Sequence, residues 1–567
     1  MFKKIILYGF ILSISLITFS NVFSQTEDSL ILRSHDQYPD EWLARFPHSF
    51  IPLNIDPGYS DLPSVFINVN LSQNTAPQNE PSVKISRKDP NRVVAAWRDF
   101  RTGINPALRR IGYSYSTDGG TTWSVSALIP QLIPNAPLSS DPVVEVDTAG
   151  NFYIMSVSLN QSNNNGELWV FKSFNQGVTF DSVYLVANGP WFEDKEWTAS
   201  DLNPSSPFVN TLYVSWTRFA STTDILLSKS TNGGANWSIP VNVSDLAVVQ
   251  GSMPAIGPNG EIYIAWRGSS GSSAKIYFDK STDGGVIFGT DKLISPAPQA
   301  WFPSIATDLS GGPRNGYIYV TWNDESNGDD DVFLSCSSNG GSNWSVTKRV
   351  NNDAIGNGKL QYWPWISVND SGNIAIIFYD TRNTPNNNII EAYLARSTDG
   401  GQTFTNELLS TQQSPTNTPN SSIRFGDYIG IDYLGSRIVP VWTDERAGGF
   451  DMEIYTAVIN TTVGIQPISN KIPNEFELYQ NYPNPFNPYT EIRYKIAKSG
   501  NVKITVYDML GRSVLQLVNE RHTPGEYVIN FDGNNISSGV YFYKIEFKGT
   551  ENRSGSFQDV KKMVLLK

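Results

Sequence analysis

Residues Tyr113 to Ser124 spell YSYSTDGGTTWS. Near-copies follow as FKSFNQGVTFD, LSKSTNGGANWS, FDKSTDGGVIFG, LSCSSNGGSNWS and LARSTDGGQTFT, anchored at Ser116, Ser173, Ser230, Ser281, Ser337 and Ser397. The acid position is Asp118, Asn175, Asn232, Asp283, Asn339 and Asp399 in turn. Asp and Asn both accept hydrogen bonds from turn N–H groups, and the glycines supply the positive φ of a tight hairpin. The closing aromatic, Trp123 in the first copy, packs between sheets. A swap that keeps the acceptor and discards the charge marks these hairpins as scaffold.

The anchors recur every 57, 57, 51, 56 and 60 positions, a period that suits a four-stranded propeller blade. A second signature runs in step. Seven strands with small or proline-containing starts (NEPSVKIS, SSDPVVEVD, KEWTASD, GSMPAIGP, WFPSIATD, YWPWISVND, FGDYIGID) each precede a second apolar strand. There are thus seven strand pairs and six hairpins. The seventh unit lacks a fourth strand, and the extended stretch Val65 to Leu71 can supply it, which closes a ring and removes its open edge. The expected fold is all-β: a seven-bladed β-propeller, with six blades as the alternative, followed by a small Ig-like β-sandwich. The expected divisions are a signal peptide at 1–24, an extended lead-in at 25–63, the propeller at 64–460, a linker at 461–475 and a C-terminal module at 476–567.

The N-terminus carries two lysines, an apolar run from Ile5 to Phe19 and the small residue Ser24, the order of a secretory signal. That run is about 15 residues, short of the roughly 20 that span a membrane, and no later segment is apolar enough to span one. A net charge of -12 without a basic run argues against nucleic acid as partner. The single cysteine, Cys336, forbids an intramolecular disulfide. The three histidines, His35, His48 and His522, all lie outside 64–460. That stretch therefore cannot build a Ser-His-Asp system or a His-ligated zinc site.

The six hairpins resemble the Asp-box, or BNR-repeat, proteins of the sialidase-like propeller superfamily. That resemblance implies that the hairpins face away from any active site. It places the site at the opposite end, where the second-to-third turns and the blade-to-blade crossovers gather. The second-to-third turns repeat an aromatic-x-Asp-x-Arg pattern: Trp97, Asp99 and Arg101; Phe378, Asp380 and Arg382; Trp442, Asp444 and Arg446. One reading is a structural turn in which Asp caps the backbone and Arg pairs with it. The other is a ring of Asp and Arg around an anionic or polyhydroxyl ligand. The crossovers add Glu80, Asp141, Glu193, Asp194, Glu196, Trp197, Trp301, Phe302, Tyr362, Trp363, Trp365, Phe425, Asp427 and Tyr428. Aromatics beside carboxylates suit a sugar site, and equally suit the packing of inner layers.

A sialidase needs three arginines on the substrate carboxylate, a Tyr-Glu pair and an acid aspartate. Arg101, Arg382 and Arg446 are the arginine candidates, and Tyr428 with Glu196 the pair. The Phe/Tyr-Arg-Ile-Pro motif of that family is missing, which disfavours exo-sialidase activity. For other glycoside hydrolysis the carboxylate pool is Asp99, Glu196, Asp380, Asp427 and Asp444. Trp301 and Trp363 are candidate sugar-binding rings. The run NGDDDVF at Asn327 to Phe333 offers carboxylates for Ca²⁺, with a solvated turn as the alternative.

The C-terminal module resembles the sorting domain of type IX secretion cargo, through YPNPFNP at Tyr482 to Pro488, VYDMLGR at Val506 to Arg512, SSGVYFYKI at Ser537 to Ile545 and the end KKMVLLK. The resemblance implies export through that machinery to the medium or the outer-membrane surface of a Gram-negative bacterium. The expected protein is an exported propeller that acts on glycans, or binds glycan or protein without turnover.

Overall fold

The computed structural model describes residues 66–566, apart from 104–108, 134–137, 161–164, 270–273, 296–298, 417–422, 424, 462–464, 470–472, 488, 533–536 and 550–555. The expected signal peptide and lead-in lie outside these residues. Every element among the described residues is a strand.

Seven antiparallel sheets, numbered here in chain order, fill residues 69–460. Their first strands are Gln78–Ile85, Leu138–Val146, Phe192–Ser200, Val249–Ile256, Ser304–Thr307, Gln361–Val368 and Gly430–Leu434. Each sheet then steps outward strand by strand, so the crossovers between sheets and the second-to-third turns share one end. The first-to-second and third-to-fourth turns share the other. Sheets 6 and 7 each carry one extra short strand, Ser414–Pro415 and Ile459–Asn460. In sheet 7 the outer place is taken by the N-terminal Val69–Asn70, which pairs with Thr456 and Tyr455. This is the arrangement expected from seven strand pairs and six hairpins.

The first strand of each sheet packs on the first strand of the next, and sheet 7 packs on sheet 1, so the cycle closes. A cavity of about 170 Å³ on the axis is lined from all seven sheets, by Lys84, Glu145, Ser200, Ala255, Ile305, Ser367 and Asp432 among others. Hydroxyls tie neighbours together: Val144 N donates to Ser82 Oγ at 3.0 Å and Tyr433 N to Ser367 Oγ at 3.0 Å. Between sheets 7 and 1 a carboxylate takes the hydroxyl's place, and Ile85 N donates to Asp432 Oδ2 at 2.8 Å. Between the sheets lie fully buried tryptophans at matching places in the second strands, Trp97, Trp216, Trp266, Trp322 and Trp442.

The six hairpins share one bonding scheme. Each serine hydroxyl donates to its Asp or Asn at 2.6 to 3.0 Å. It also accepts the second glycine-position amide at 2.8 to 2.9 Å. The same Asp or Asn oxygen accepts the amide four residues on at 2.8 to 3.1 Å. Lysines latch successive hairpins: Lys172, Lys229 and Lys280 donate to the carbonyls of Gly233, Gly284 and Gly340 at 2.9, 2.5 and 2.8 Å.

The C-terminal module has two four-stranded sheets. Leu478, Ile492, Tyr494 and Ile529 from one face Val502, Ile504, Tyr543, Ile545 and Leu565 from the other in a single core. Ile465–Ser469 lies inside the span read as a linker, yet it is a strand that pairs with Gly525–Asp532. The stretch lacked an alternating pattern that would have marked it in the sequence.

Candidate functional site

The Asp-x-Arg turns resolve into local chemistry. Asp99 accepts from the Trp97 indole at 2.9 Å, from Arg101 N at 2.9 Å and from the Arg101 guanidinium at 2.7 Å. Asp444 repeats this with Trp442 at 3.0 Å and Arg446 N at 2.9 Å. Asp380 holds Arg382 N and Nε, both at 2.7 Å. The outer ends of the guanidiniums then turn to outer strands and crossovers. Arg101 reaches Ser126 Oγ at 3.0 Å, Arg382 reaches Asn406 Oδ1 at 3.3 Å, and Arg446 reaches Asn68 Oδ1 at 3.1 Å. Arg382 and Arg446 also lie over the rings of Tyr393 and Tyr455 at 4.4 and 4.0 Å. The structure thus places Asp99, Asp380, Asp444 and their arginines in separate turns of sheets 1, 6 and 7. The sialidase-like convergence of Arg101, Arg382 and Arg446 is not what it builds, because each guanidinium is held by its own turn carboxylate.

Convergence occurs on the ring axis instead. The first strands carry a bulge, seen as register shifts at Asn79/Ser82, Ser140/Val143, Asp194/Trp197, Gln250/Met253 and Tyr362/Trp365. At the bulge the backbone has positive φ: 55° at Glu80, 54° at Asp141, 53° at Lys195, 68° at Gly251 and 52° at Trp363; Gly426, in the crossover before sheet 7, is at 115°. Positive φ costs a non-glycine residue of order 1–3 kcal/mol and persists where the surroundings impose it. Here it brings together charged side chains of three sheets and of the crossover into a fourth. Lys195 of sheet 3 pairs with Asp141 of sheet 2 at 3.3 Å and with Asp427 of the crossover that leads into sheet 7. Arg98 of sheet 1 pairs with Glu80 at 3.2 Å and donates to Asn79 Oδ1 at 2.7 Å. Lys195 lies 5.9 Å from the centre of the Tyr428 ring. Beneath them Trp197 meets Trp365 at 4.5 Å and Tyr428 at 5.2 Å, a plug between the charged cluster and the axial cavity.

The cluster is buried throughout, and its electrostatics follow. Burial, reinforced by the charge of Asp141, pushes Asp194 up to about 8. Burial, with Asp141 and Asp194 beside it, drives Glu196 well above the usual carboxylate range. Burial does the same to Glu80 against the pull of Arg98. Burial and the neighbouring Arg98 lower Arg109 to about 10. The carboxylate oxygens of Asp194 and Glu196 are buried without a hydrogen-bond partner among the described residues. Tyr428, a candidate nucleophile, is driven the opposite way from a phenolate. Burial and the acids Glu80 and Asp141 raise it well above the usual phenol range, and its hydroxyl approaches only Pro142 O at 3.5 Å.

Of the candidate catalytic residues, the structure gathers Glu196, Asp427 and Tyr428 and leaves Asp99 apart. Trp301 and Trp363 are buried, 2% and 7% exposed, against Phe302 and against Tyr362 and Tyr379. They are packing rings here, since no ring face is free for a sugar. The sequence reading missed Lys195 and Arg109. A signal for the first existed: aligned on Pro81, Pro142, Pro303 and Pro364, the seven strands put Glu196 and Asp427 in the proline column, and Lys195 beside Glu80 and Asp141. In the NGDDDVF run, Asp331 accepts from Asn327 and Asn351 amides at 2.6 and 2.7 Å and pairs with Arg349 at 2.6 Å. Asp330 accepts from Asn323 at 3.0 Å and Asp329 from Gly358 N at 2.7 Å. Amide, guanidinium and backbone donors thus surround these carboxylates, and no group of three or more acidic, His or Cys side chains suited to a metal gathers among the described residues.

Residues 480–556 match the family described as the secretion system C-terminal sorting domain. The C-terminal module is a sorting domain. No curated protein matches the chain in sequence. Similar solved structures include a protein of unknown function from Dyadobacter fermentans, 14% identical over 70% of this chain and 98% of that chain, TM-score 0.42. A polysaccharide lyase of family PL25, an ulvan lyase, is 12% identical over 70% of this chain and 96% of that chain, TM-score 0.44. The intramolecular trans-sialidase from Ruminococcus gnavus is 13% identical over 56% of this chain and 93% of that chain, TM-score 0.41.

Proposed function

We propose that this is an exported, Asp-box seven-bladed β-propeller that acts on glycans at the axial charged cluster. The type IX secretion machinery would deliver it, by its Ig-like sorting domain, to the medium or the outer-membrane surface of a Gram-negative bacterium. One observation carries the reading: strained backbone on three first strands directs Glu80, Asp141 and Lys195 to the point where Asp427 and Tyr428 also lie. Such a site separates carboxylates by environment. Burial drives Glu196 and Asp194 toward the protonated form, which suits a general acid, while Asp427 sits as the partner of Lys195. Tyr428 would act as a neutral hydroxyl. The enzyme class is a glycoside hydrolase or lyase, with exo-sialidase disfavoured because the Phe/Tyr-Arg-Ile-Pro motif is missing and Arg101, Arg382 and Arg446 stay in separate turns.

A second reading is favoured by the burial of the Asp194 and Glu196 oxygens. In it the cluster ties sheets 1, 2, 3 and 7 together, and the same end of the ring binds glycan or protein without turnover. The test is a panel of neutral, uronic-acid-containing and sialylated glycans, scored for reducing ends and unsaturated products. Turnover that Glu196→Gln reduces at least ~100-fold supports the acid role. Binding without turnover across the panel supports the second reading. Neither binding nor turnover overturns both.

A further inference from the structure

Among the described residues of the ring, three aromatic side chains are well exposed: Phe174 at 65%, Trp191 at 42% and Phe450 at 39%. Phe174 lies in a Ser-x-Asn hairpin at the end away from the cluster, and Lys172 already covers its ring at 4.7 Å. Trp191 and Phe450 lie at the end that carries the crossovers. Trp191 immediately precedes the first strand of sheet 3, Phe192–Ser200, and Phe450 lies in the second-to-third turn of sheet 7. These are the two sheets that the Lys195–Asp427 pair joins across the axis.

A lone exposed apolar side chain carries no meaning. The display of Phe450 is imposed, however. Its φ is 67°, a region that a bulky residue avoids, and the preceding Gly448 and Gly449 are both at 71°. Its amide is fixed by donation to Glu445 Oε1 at 2.8 Å. A glycine or asparagine would sit there at lower cost, so the turn holds an aromatic ring outward against its backbone preference. Trp191 stands four residues from Lys195, about 13 Å along a strand. Polar groups flank it: Asn165 Nδ2 donates to Gly189 O at 2.6 Å, and Arg218 holds Glu193 at 2.8 Å.

We propose that Trp191 and Phe450 are stacking platforms for the pyranose faces of a polysaccharide that crosses the axial cluster from sheet 3 to sheet 7. The inference rests on the glycan reading above and names the occupant as a polymer of several sugars rather than a single terminal residue. Flat aromatic faces take the apolar C–H face of a sugar ring, and the flanking amide and guanidinium supply hydrogen bonds to its hydroxyls.

The test uses the full-length protein with Trp191→Ala, Phe450→Ala, the double variant and Phe174→Ala as control. Soluble polysaccharides and their monosaccharides are titrated calorimetrically, and thermal midpoints are recorded alongside. The expected result is binding of a polysaccharide that each single variant weakens at least ~10-fold and the double variant weakens further. Phe174→Ala leaves the affinity unchanged, and all midpoints stay close to the parent. Equal affinity in Trp191→Ala, Phe450→Ala and parent overturns the platforms, as does absence of polysaccharide binding by the parent. Glu196→Gln separates the two claims. Lost turnover at unchanged affinity supports the cluster whatever the platforms do. Unchanged turnover sinks the acid role while the platform affinities still stand or fall by their own variants.

Discussion

Trp322 and Trp266 occupy matching places in adjacent sheets, both fully buried, and differ by one hydrogen bond. The Trp322 indole donates to Asp324 at 2.6 Å, whereas Trp266 Nε1 is buried without a partner. Trp322→Phe orphans an acceptor in the core and is expected to cost about 1–3 kcal/mol more than Trp266→Phe, which removes an orphan donor. Urea unfolding of the two variants measures the difference, and equal costs would show that the bond adds nothing. Asp194 makes a second prediction. Its folded value of about 8 lies above that of an unfolded Asp, about 3.9. The folded state therefore prefers the protonated form. Its stabilisation is complete below pH ~4 and is lost as pH rises through about 8. Thermal midpoints should fall across that window, and Asp194→Asn should flatten part of the fall. Parallel curves for the two proteins would remove Asp194 as the cause.

At the scale of an element, the hairpins tolerate Asn where the first copy has Asp, because an oxygen on that side chain closes the turn. Asp118→Asn should therefore change stability by less than ~0.5 kcal/mol. Asp118→Ala removes the acceptor for Thr122 N and Ser116 Oγ and should cost about 1 kcal/mol or more. Denaturant midpoints of the pair decide it, and a loss of glycan turnover in Asp118→Asn with an intact fold would contradict the scaffold role. These elements were legible because their chemistry is local. Ser, Asp or Asn and Gly within five positions dictate the turn whatever surrounds it. The Asp-x-Arg turns were legible as a repeat but ambiguous in role, since the sequence does not say where Arg101 or Arg446 points. The outer-strand partners Ser126 and Asn68 settle that.

For the whole molecule, closure depends on a strand that precedes the first repeat. Leu71 N donates to Ile454 O at 2.7 Å, and the Leu71 side chain is fully buried. Leu71→Pro removes the bond and should destabilise the ring by about 3 kcal/mol. Hydrogen exchange should quicken first in Arg437–Asp444 and Glu453–Thr456, the strands of sheet 7 that adjoin the closure. Quickening first in sheets 3 or 4 would show that the ring opens elsewhere.

The sequence by itself determined the all-β character, the count of strand pairs, the hairpin turns and the sorting module. Each rests on residues close in the chain and on short-range turn and pairing chemistry. Only the tertiary structure decided which charges meet. Glu80, Asp141 and Lys195 come from three sheets and Asp427 from the crossover into a fourth, up to 347 positions apart, and they meet because a closed ring brings its first strands to one axis. The strand bulges turn Glu80, Asp141 and Lys195 inward, and burial there drives Glu80 above the usual carboxylate range. The same closure hides Trp301 and Trp363 and leaves Trp191 and Phe450 in the open, a distinction that residue type alone cannot carry.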